Sequence, residues 1–240
     1  MQESLYKQAA AYIRSRIISG EYAVGSQIPT ENDLAAVLGI SRPTLRQALD
    51  LLTHEGYLLR VRGRGTFVTE PKVIHESTSF ITGYQAESEK HNHTLCTKVL
   101  DLRVLRAPAH VARELEIAPD SQVTRLTRLR HWEGYKKNAP VLYTIVYVPH
   151  KLFPDMNTID FTNTSFYEVL SMQDLMVKHA SRTLEVVHPP LDVAVALGIS
   201  SFEPTVFITS RGKTESQILI EYSESYYPAG SSSFLIEINW

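Results

Sequence analysis

A chain of 240 residues with 43% hydrophobic and 21% charged side chains can build real cores, which excludes a disordered protein and points to two domains. The formal net charge is −2 and the lone cysteine is Cys96, so no internal disulfide framework exists and a reducing cytosol is the consistent compartment. No run approaches membrane-spanning length, and Glu3, Lys7 and Arg14 interrupt what would have to be the apolar part of a leader, so a cytoplasmic protein without a membrane anchor is expected.

Leu5 to Gly20 places Leu5, Ala9, Ile13 and Ile17 on one helical face, and Gly20 ends the helix. Glu21 to Pro29 is a connector. Thr30-Glu31-Asn32-Asp33 is a helix start, with Thr30 as cap and acidic side chains at the positive end of the dipole, and this second helix runs to about Leu38. Gly39-Ile40-Ser41 has length only for a steep turn into a third helix. There Ser41 caps, Pro43 occupies the first turn, where a missing amide donor does no harm, and Leu45, Ala48, Leu49 and Leu52 form one apolar stripe. Arg42, Thr44 and Arg46 lie off that stripe. The helix stops at Glu55-Gly56. Tyr57 to Val61 and Thr66 to Val68 are β-prone, and Arg62-Gly63-Arg64-Gly65 between them has the glycines of a tight hairpin with cations at its tip.

Three helices and a cationic hairpin outline a winged helix-turn-helix over residues 1–69. Between residues 41 and 68, Arg42, Arg46, Arg60, Arg62 and Arg64 oppose only Asp50 and Glu55, a local excess that suits a phosphate backbone. Double-stranded DNA is the natural ligand. Arg42 and Arg46 share one helix face and carry the planar fork that matches O6 and N7 of guanine. Ser41 and Thr44 suit phosphate oxygens, and Gly65 lets the wing backbone approach the minor groove with Arg62 and Arg64 beside it for phosphates. Any one of these arginines alone fits a solvated helix face; the ordered set points to DNA.

Thr69 to Ser79 loses the helical period, contains Pro71 and is mostly polar, so a linker is expected at 70–79 and a second domain over 80–240. In that domain Phe80 to His91 reads as helix, Thr97 to Leu105 as strand and Ala109 to Leu115 as a short helix. Val123 to Trp132 and Pro140 to Val148 form an antiparallel hairpin around the loop Glu133 to Asn138. Ser165 to Met172 is a helix capped by Ser165, His179 to Val187 a strand, and Leu191 to Leu197 a short helix stopped by Gly198. Thr205 to Arg211, Ile218 to Tyr227 and Phe234 to Ile238 complete the sheet. The expected fold class is α+β, a winged helix-turn-helix ahead of a domain with an antiparallel sheet.

Alternate side chains of a strand share a face, so Arg128 and Arg130 point the same way, about 7 Å apart, beside Leu126 and Trp132, while Arg125 points oppositely. Two guanidiniums among apolar neighbours form a seat for a phosphate or carboxylate; the same pattern also fits salt-bridged residues on an exposed sheet face. Ser165 and Tyr167 open a helix, whose amide donors favour an anion. Glu221 and Tyr227 share parity with Ser223 and Ser225, so one strand face offers a carboxylate and hydroxyls to a polyhydroxylated ligand. His91-Asn92-His93 lacks the accompanying residues of a metal site, and no Ser elbow, P-loop or dinucleotide fingerprint occurs, so no metal, cofactor or catalytic residue is expected.

Four motifs in order, Leu5-Tyr6-Lys7-Gln8, Ile28-Pro29-Thr30-Glu31, Ser41-Arg42-Pro43-Thr44-Leu45-Arg46-Gln47-Ala48-Leu49 and Gly63-Arg64-Gly65-Thr66-Phe67-Val68, make the chain resemble the GntR family of bacterial transcription regulators. Through Arg128-Leu129-Arg130, Ser165-Phe166-Tyr167-Glu168 and Glu221-Tyr222-Ser223 followed by Tyr226-Tyr227, the second half is similar to the HutC subfamily with its UTRA effector domain. The resemblance covers nearly the whole chain. It implies a homodimer on a short pseudo-palindromic operator, commonly built on GT and AC half-sites, read by Arg42 and Arg46 with Gly65 in the minor groove. It also implies a chorismate-lyase-like effector domain that in several relatives takes a sugar phosphate, the phosphate resting at positions matching Arg128, Arg130, Ser165 and Tyr167. Glu221 and Tyr227 would then meet sugar hydroxyls. The chain departs from the pattern at Tyr84-Gln85-Ala86, where relatives often carry a Ser or Thr plus an acid, and at Thr144, where they often carry a Glu. The expected function is a ligand-responsive repressor released by a small anionic metabolite. The residues leave as alternatives a constitutive DNA-binding regulator whose C-terminal domain only dimerises, and an enzyme on the lyase-like fold, against which no acid/base pair or nucleophile stands out.

Overall fold

The computed structural model describes residues 4–69, 72–76, 95–133 and 139–236. The helix expected at Phe80 to His91, the departure at Tyr84-Gln85-Ala86, His91-Asn92-His93, most of the Glu133 to Asn138 loop and the last residues of the expected final strand lie outside them. Contacts divide the chain into two units, Met1–Lys72 and Val73–Trp240.

The first unit is built on α1 (Leu5–Ile18), α2 (Glu31–Leu38), α3 (Arg42–His54) and the hairpin of β1 (Leu58–Val61) and β2 (Gly65–Val68). Both later helices start as their sequences direct: Thr30 Oγ1 accepts from the Asp33 amide and Ser41 Oγ from the Thr44 amide, each at 3.3 Å. Gly39 and Gly56, at φ of +62° and +79°, let the chain leave α2 and α3. The stripe Leu45, Ala48, Leu49 and Leu52 is buried against Ala9, Ala10, Ile13 and Ile17 of α1, with Leu34, Ala35, Ile28, Leu58 and Val68 closing the core. Leu5, expected on that face, is exposed, because the buried seam starts one turn later at Ala9.

The wing pairs Leu58 with Val68 and Val61 with Gly65. The connector before α2 holds it from the side: the Ile28 amide donates to Thr66 O and the Val68 amide to Ser26 O. Gly65 sits at φ +112°, and a Cβ there would collide with the Gln27 side chain. The missing side chain is therefore used within the protein itself, whatever the wing approaches.

The second unit centres on a six-stranded antiparallel sheet of β4 (Leu95–Arg106), β5 (Gln122–Trp132), β6 (Pro140–Pro149), β7 (His179–Val187), β8 (Thr205–Lys213) and β9 (Leu219–Pro228), in the order β4-β5-β6-β9-β8-β7. One side buries Met156, Phe161 and the helix α5 (Phe166–Met172), through Phe166, Val169 and Leu170, with Leu126, Val146 and Val148. In two further clusters, α4 (Ala109–Glu114) brings Val111 against Val123, Tyr147 and Tyr222, and α6 (Leu191–Leu197) brings Val193 and Leu197 against Tyr143 and Tyr226.

Two expectations are corrected. The final strand, β10 (Ser232–Leu235), does not complete the sheet; it pairs in parallel with β3 (Val73–Glu76), which lies inside the expected linker. A polar setting around Val73-Ile74-His75 hid a strand too short for alternation to register. Ser165 stands at the N-cap of α5, but its hydroxyl makes no capping bond.

Gly65→Ala is expected to lower stability by about 1–3 kcal/mol, from φ strain and the clash with Gln27 together. Adding Gln27→Ala restores only the steric part. Denaturation of the full chain, followed by helical circular dichroism, checks both.

Candidate functional site

In the first unit the expected DNA-facing residues fall on two elements. Ser41, Arg42, Thr44 and Arg46 occupy the start of α3, with both arginines exposed, and Arg62, Arg64 and Gly65 occupy the exposed hairpin end. Their cations are not equivalent. Glu31 of α2 accepts from Arg46 Nε at 3.2 Å and from its terminal nitrogen at 2.9 Å, which pre-orients the guanidinium. That hydrogen bond holds the Glu31 carboxyl below its ordinary range and Arg46 above its own. Arg60 of β1 reaches back to Asp50 at 2.5 Å and to the Arg46 carbonyl at 3.4 Å, tying the wing to α3. Arg64 lies 5.9 Å from the Phe67 ring centroid. Ser41 and Thr44 hydroxyls are 2.8 Å apart, so the cap already engages both.

In the second unit a cleft with about 550 Å³ of empty space, open mouth included, lies on one face of the sheet. The strand register explains its floor. Arg128 of β5 pairs with Thr144 of β6, Thr144 with Ser225 of β9, and Ser225 with Ile208 of β8. The neighbouring row runs Val146, Ser223, Ser210, Arg182. Small hydroxyl residues thus pave the middle. Arg128 and Arg130 line one side of the cleft, and α5 contributes Ser165, Phe166 and Tyr167. Arg128 is 3% exposed and its guanidinium carbon lies 5.8 Å from the Phe166 ring centroid, an aromatic face that suits a desolvated cation.

Of the six residues expected at an effector, five line this cleft: Arg128, Arg130, Ser165, Tyr167 and Tyr227. Glu221 does not. It is buried behind Tyr167, whose hydroxyl donates to Glu221 Oε1 at 3.0 Å. Burial raises the Glu221 carboxyl to about 7, against the Tyr167 hydrogen bond and the fields of Arg182 and Arg128. Burial likewise raises the Tyr167 hydroxyl. Gly212 directly opposes Glu221, and a Cβ there would stand 2.6 Å from Glu221 Cγ, so this strand pair needs a residue without a side chain. Arg182 and Ser210 were missed by sequence reasoning. Each sits in a strand that alternation does locate, but their presence in the cleft follows from strand order, for which the sequence carries no local signal. Thr144, a departure from the family pattern, also lines it.

Among the described residues no group of three or more His, Cys, Asp or Glu side chains is placed to hold a metal ion, and no helix is long and apolar enough to cross a membrane.

Comparison with known proteins bears on both units. The family model of the UTRA domain matches residues 90–231, and that of the bacterial regulatory proteins of the gntR family matches residues 5–68. The mannosyl-D-glycerate transport/metabolism system repressor MngR of Escherichia coli (strain K12) is 28% identical over 232 residues, covering 97% of this chain and 95% of that protein. The HTH-type transcriptional repressor NagR of Bacillus subtilis (strain 168) is 25% identical over 231 residues, covering 96% and 93%. The crystal structure of PhnF from Mycobacterium smegmatis superposes with a TM-score of 0.78 at 20% identity, covering 96% of this chain and 99% of that one, which shows the fold.

Glu221 carries a pH dependence. The folded form holds its proton more tightly than the unfolded form, so the contribution to stability is complete below the ordinary value of 4.5 and lost as pH rises through about 7. Between those limits the wild type is expected to lose about 1–3 kcal/mol more than Glu221→Gln, measured by urea denaturation across the range.

Proposed function

The chain belongs to the GntR family of bacterial regulatory proteins, in the HutC subfamily with a C-terminal UTRA domain, and from that premise we propose a homodimeric repressor that leaves a short pseudo-palindromic operator when a sugar phosphate or related anionic metabolite fills the cleft. As a family member it is a ligand-responsive transcriptional repressor, binding DNA through the helix-turn-helix and an effector through the UTRA domain. The finer reading rests on one observation above all. Arg128 and Arg130 share a wall of a cleft whose floor is hydroxyl-bearing, the chemistry of a phosphate seat beside a polyol seat. MngR, by its name a repressor of a mannosyl-D-glycerate system, supports a carbohydrate-derived effector.

Release follows from linkage. The effector must bind more tightly to a dimer whose reading heads are wrongly spaced for the operator, and a coupling of about 1–3 kcal/mol changes DNA affinity roughly 5–150-fold. A route for that coupling is supported by β3. Tyr227, a cleft residue, packs edge-on against His75 of β3 at 4.7 Å between ring centroids, and His75 in turn lies 5.1 Å from Phe234 of β10. Residues 69–72 alone separate the last residue of the wing, Val68, from the first of β3, Val73. A ligand that shifts Tyr227 therefore acts on the strand from which the reading head is tethered. His75 is 1% exposed and burial lowers it to about 3, so it stays neutral and acts by packing.

On the DNA side, Arg46→Ala at fixed salt is expected to cost about 1–3 kcal/mol on the selected operator and clearly less on random duplex. Equal losses would reduce Arg46 to a phosphate contact. On the effector side, Arg128→Ala with Arg130→Ala is expected to abolish the thermal stabilisation given by phosphorylated sugars and the release they cause, with operator affinity kept. Unchanged release would favour the second reading, in which the C-terminal domain only dimerises.

A further inference from the structure

Arg182 enters the cleft from the side opposite Arg128 and Arg130. Its strand, β7, is the far edge of the sheet, four interstrand steps from β5 along the order β5-β6-β9-β8-β7. At about 4.8 Å per step the two backbones are roughly 19 Å apart before sheet twist is counted. Arginine side chains reaching inward from both ends reduce that span to the scale of one small polyhydroxylated molecule. Thr144, Ser225, Ser223 and Ser210 occupy the rows between them. The Arg182 end has a second feature. Ser210, which pairs with Arg182 across the strands, is 5% exposed, and its Oγ has no hydrogen-bond partner among the described residues although it lines the cleft. A buried hydroxyl in that position is destabilising unless something pairs with it.

We propose that the cleft takes a metabolite acidic at both ends, with a phosphate at Arg128 and Arg130 and a carboxylate at Arg182 and Ser210, joined by a hydroxylated chain. The phosphate end rests on the function proposed above; the carboxylate end is new. One guanidinium fork beside one hydroxyl matches the two oxygens of a carboxylate, whereas the paired arginines of β5 suit the larger charge of a phosphate.

The test uses matched pairs that differ only by a terminal carboxylate in place of an alcohol. Calorimetric titration of the full chain with sorbitol 6-phosphate and 6-phosphogluconate is expected to give at least about tenfold tighter binding of the acid. Arg182→Gln should remove that advantage while keeping the affinity for sorbitol 6-phosphate within about twofold, and Arg182→Lys should keep part of it. The shorter pair, glycerol 3-phosphate and 3-phosphoglycerate, should show a smaller advantage, because the chain does not reach across. Melting temperatures without ligand establish that each variant is folded. Equal affinity within the six-carbon pair, or equal loss of both ligands in Arg182→Gln, overturns the inference and leaves the phosphate seat standing if Arg128→Ala with Arg130→Ala still abolishes sorbitol 6-phosphate binding. Failure of every phosphate to bind the wild type overturns the phosphate seat and the inference with it.

Discussion

Burying Arg128 and Glu221 in the same face of one sheet is the constraint on which the effector half depends. A desolvated charge is tolerated only with compensation, and the compensations here are specific. Arg128 lies over the Phe166 ring, Glu221 accepts from Tyr167, and both partners belong to α5. Gly212 leaves the room Glu221 occupies. The same helix fills the adjoining part of that face with Phe166, Val169 and Leu170 against Leu126, Val146 and Val148. One sheet face is thus split between an apolar floor that anchors α5 and a polar floor that α5 overhangs, and the cleft is the boundary between them.

That arrangement makes the cleft a sensor in the proposed mechanism rather than a passive hole. Its wall includes Tyr227, near the end of β9, and the chain turns after Pro228 into β10, which holds β3 by parallel pairing. His75, Tyr227 and Phe234 form one aromatic contact across these three strands. In the proposed mechanism that neutral, buried histidine passes on displacement by packing and adds no charge. Part of the segment expected as a ten-residue linker is therefore a paired strand, β3.

In the head, rigidity comes from a different source. The helices are small, and their burial of Ile13, Leu34, Leu45, Leu49 and Leu52 leaves the outer surface of α3 outside the apolar core. Polar contacts then set that surface: Glu31 steers Arg46, and Arg60 joins the wing to α3 through Asp50. Arg42 and Arg46, which look alike in the sequence, therefore differ in setting: both are exposed, and Arg46 donates to Glu31.

Local periodicity and capping are properties of neighbouring residues, and these the sequence by itself determined. Thr30 and Ser41 cap, Leu45 to Leu52 pack inward, Arg62 to Gly65 turn the hairpin, and Arg128 and Arg130 share a face, each because a helix or strand repeats on a fixed angle along the chain. The ordered motifs added the family. Which strands lie side by side is a non-local result of packing, and this only the tertiary structure decided. The order that places β9 between β6 and β8 brings Ser210 and Arg182 into the cleft, sends Glu221 behind Tyr167, and, with the last strand drawn away to β3, makes part of an apparent linker a strand. Alternation fixes the face on which a side chain stands, but the neighbour it meets there is set by chain segments far away in sequence.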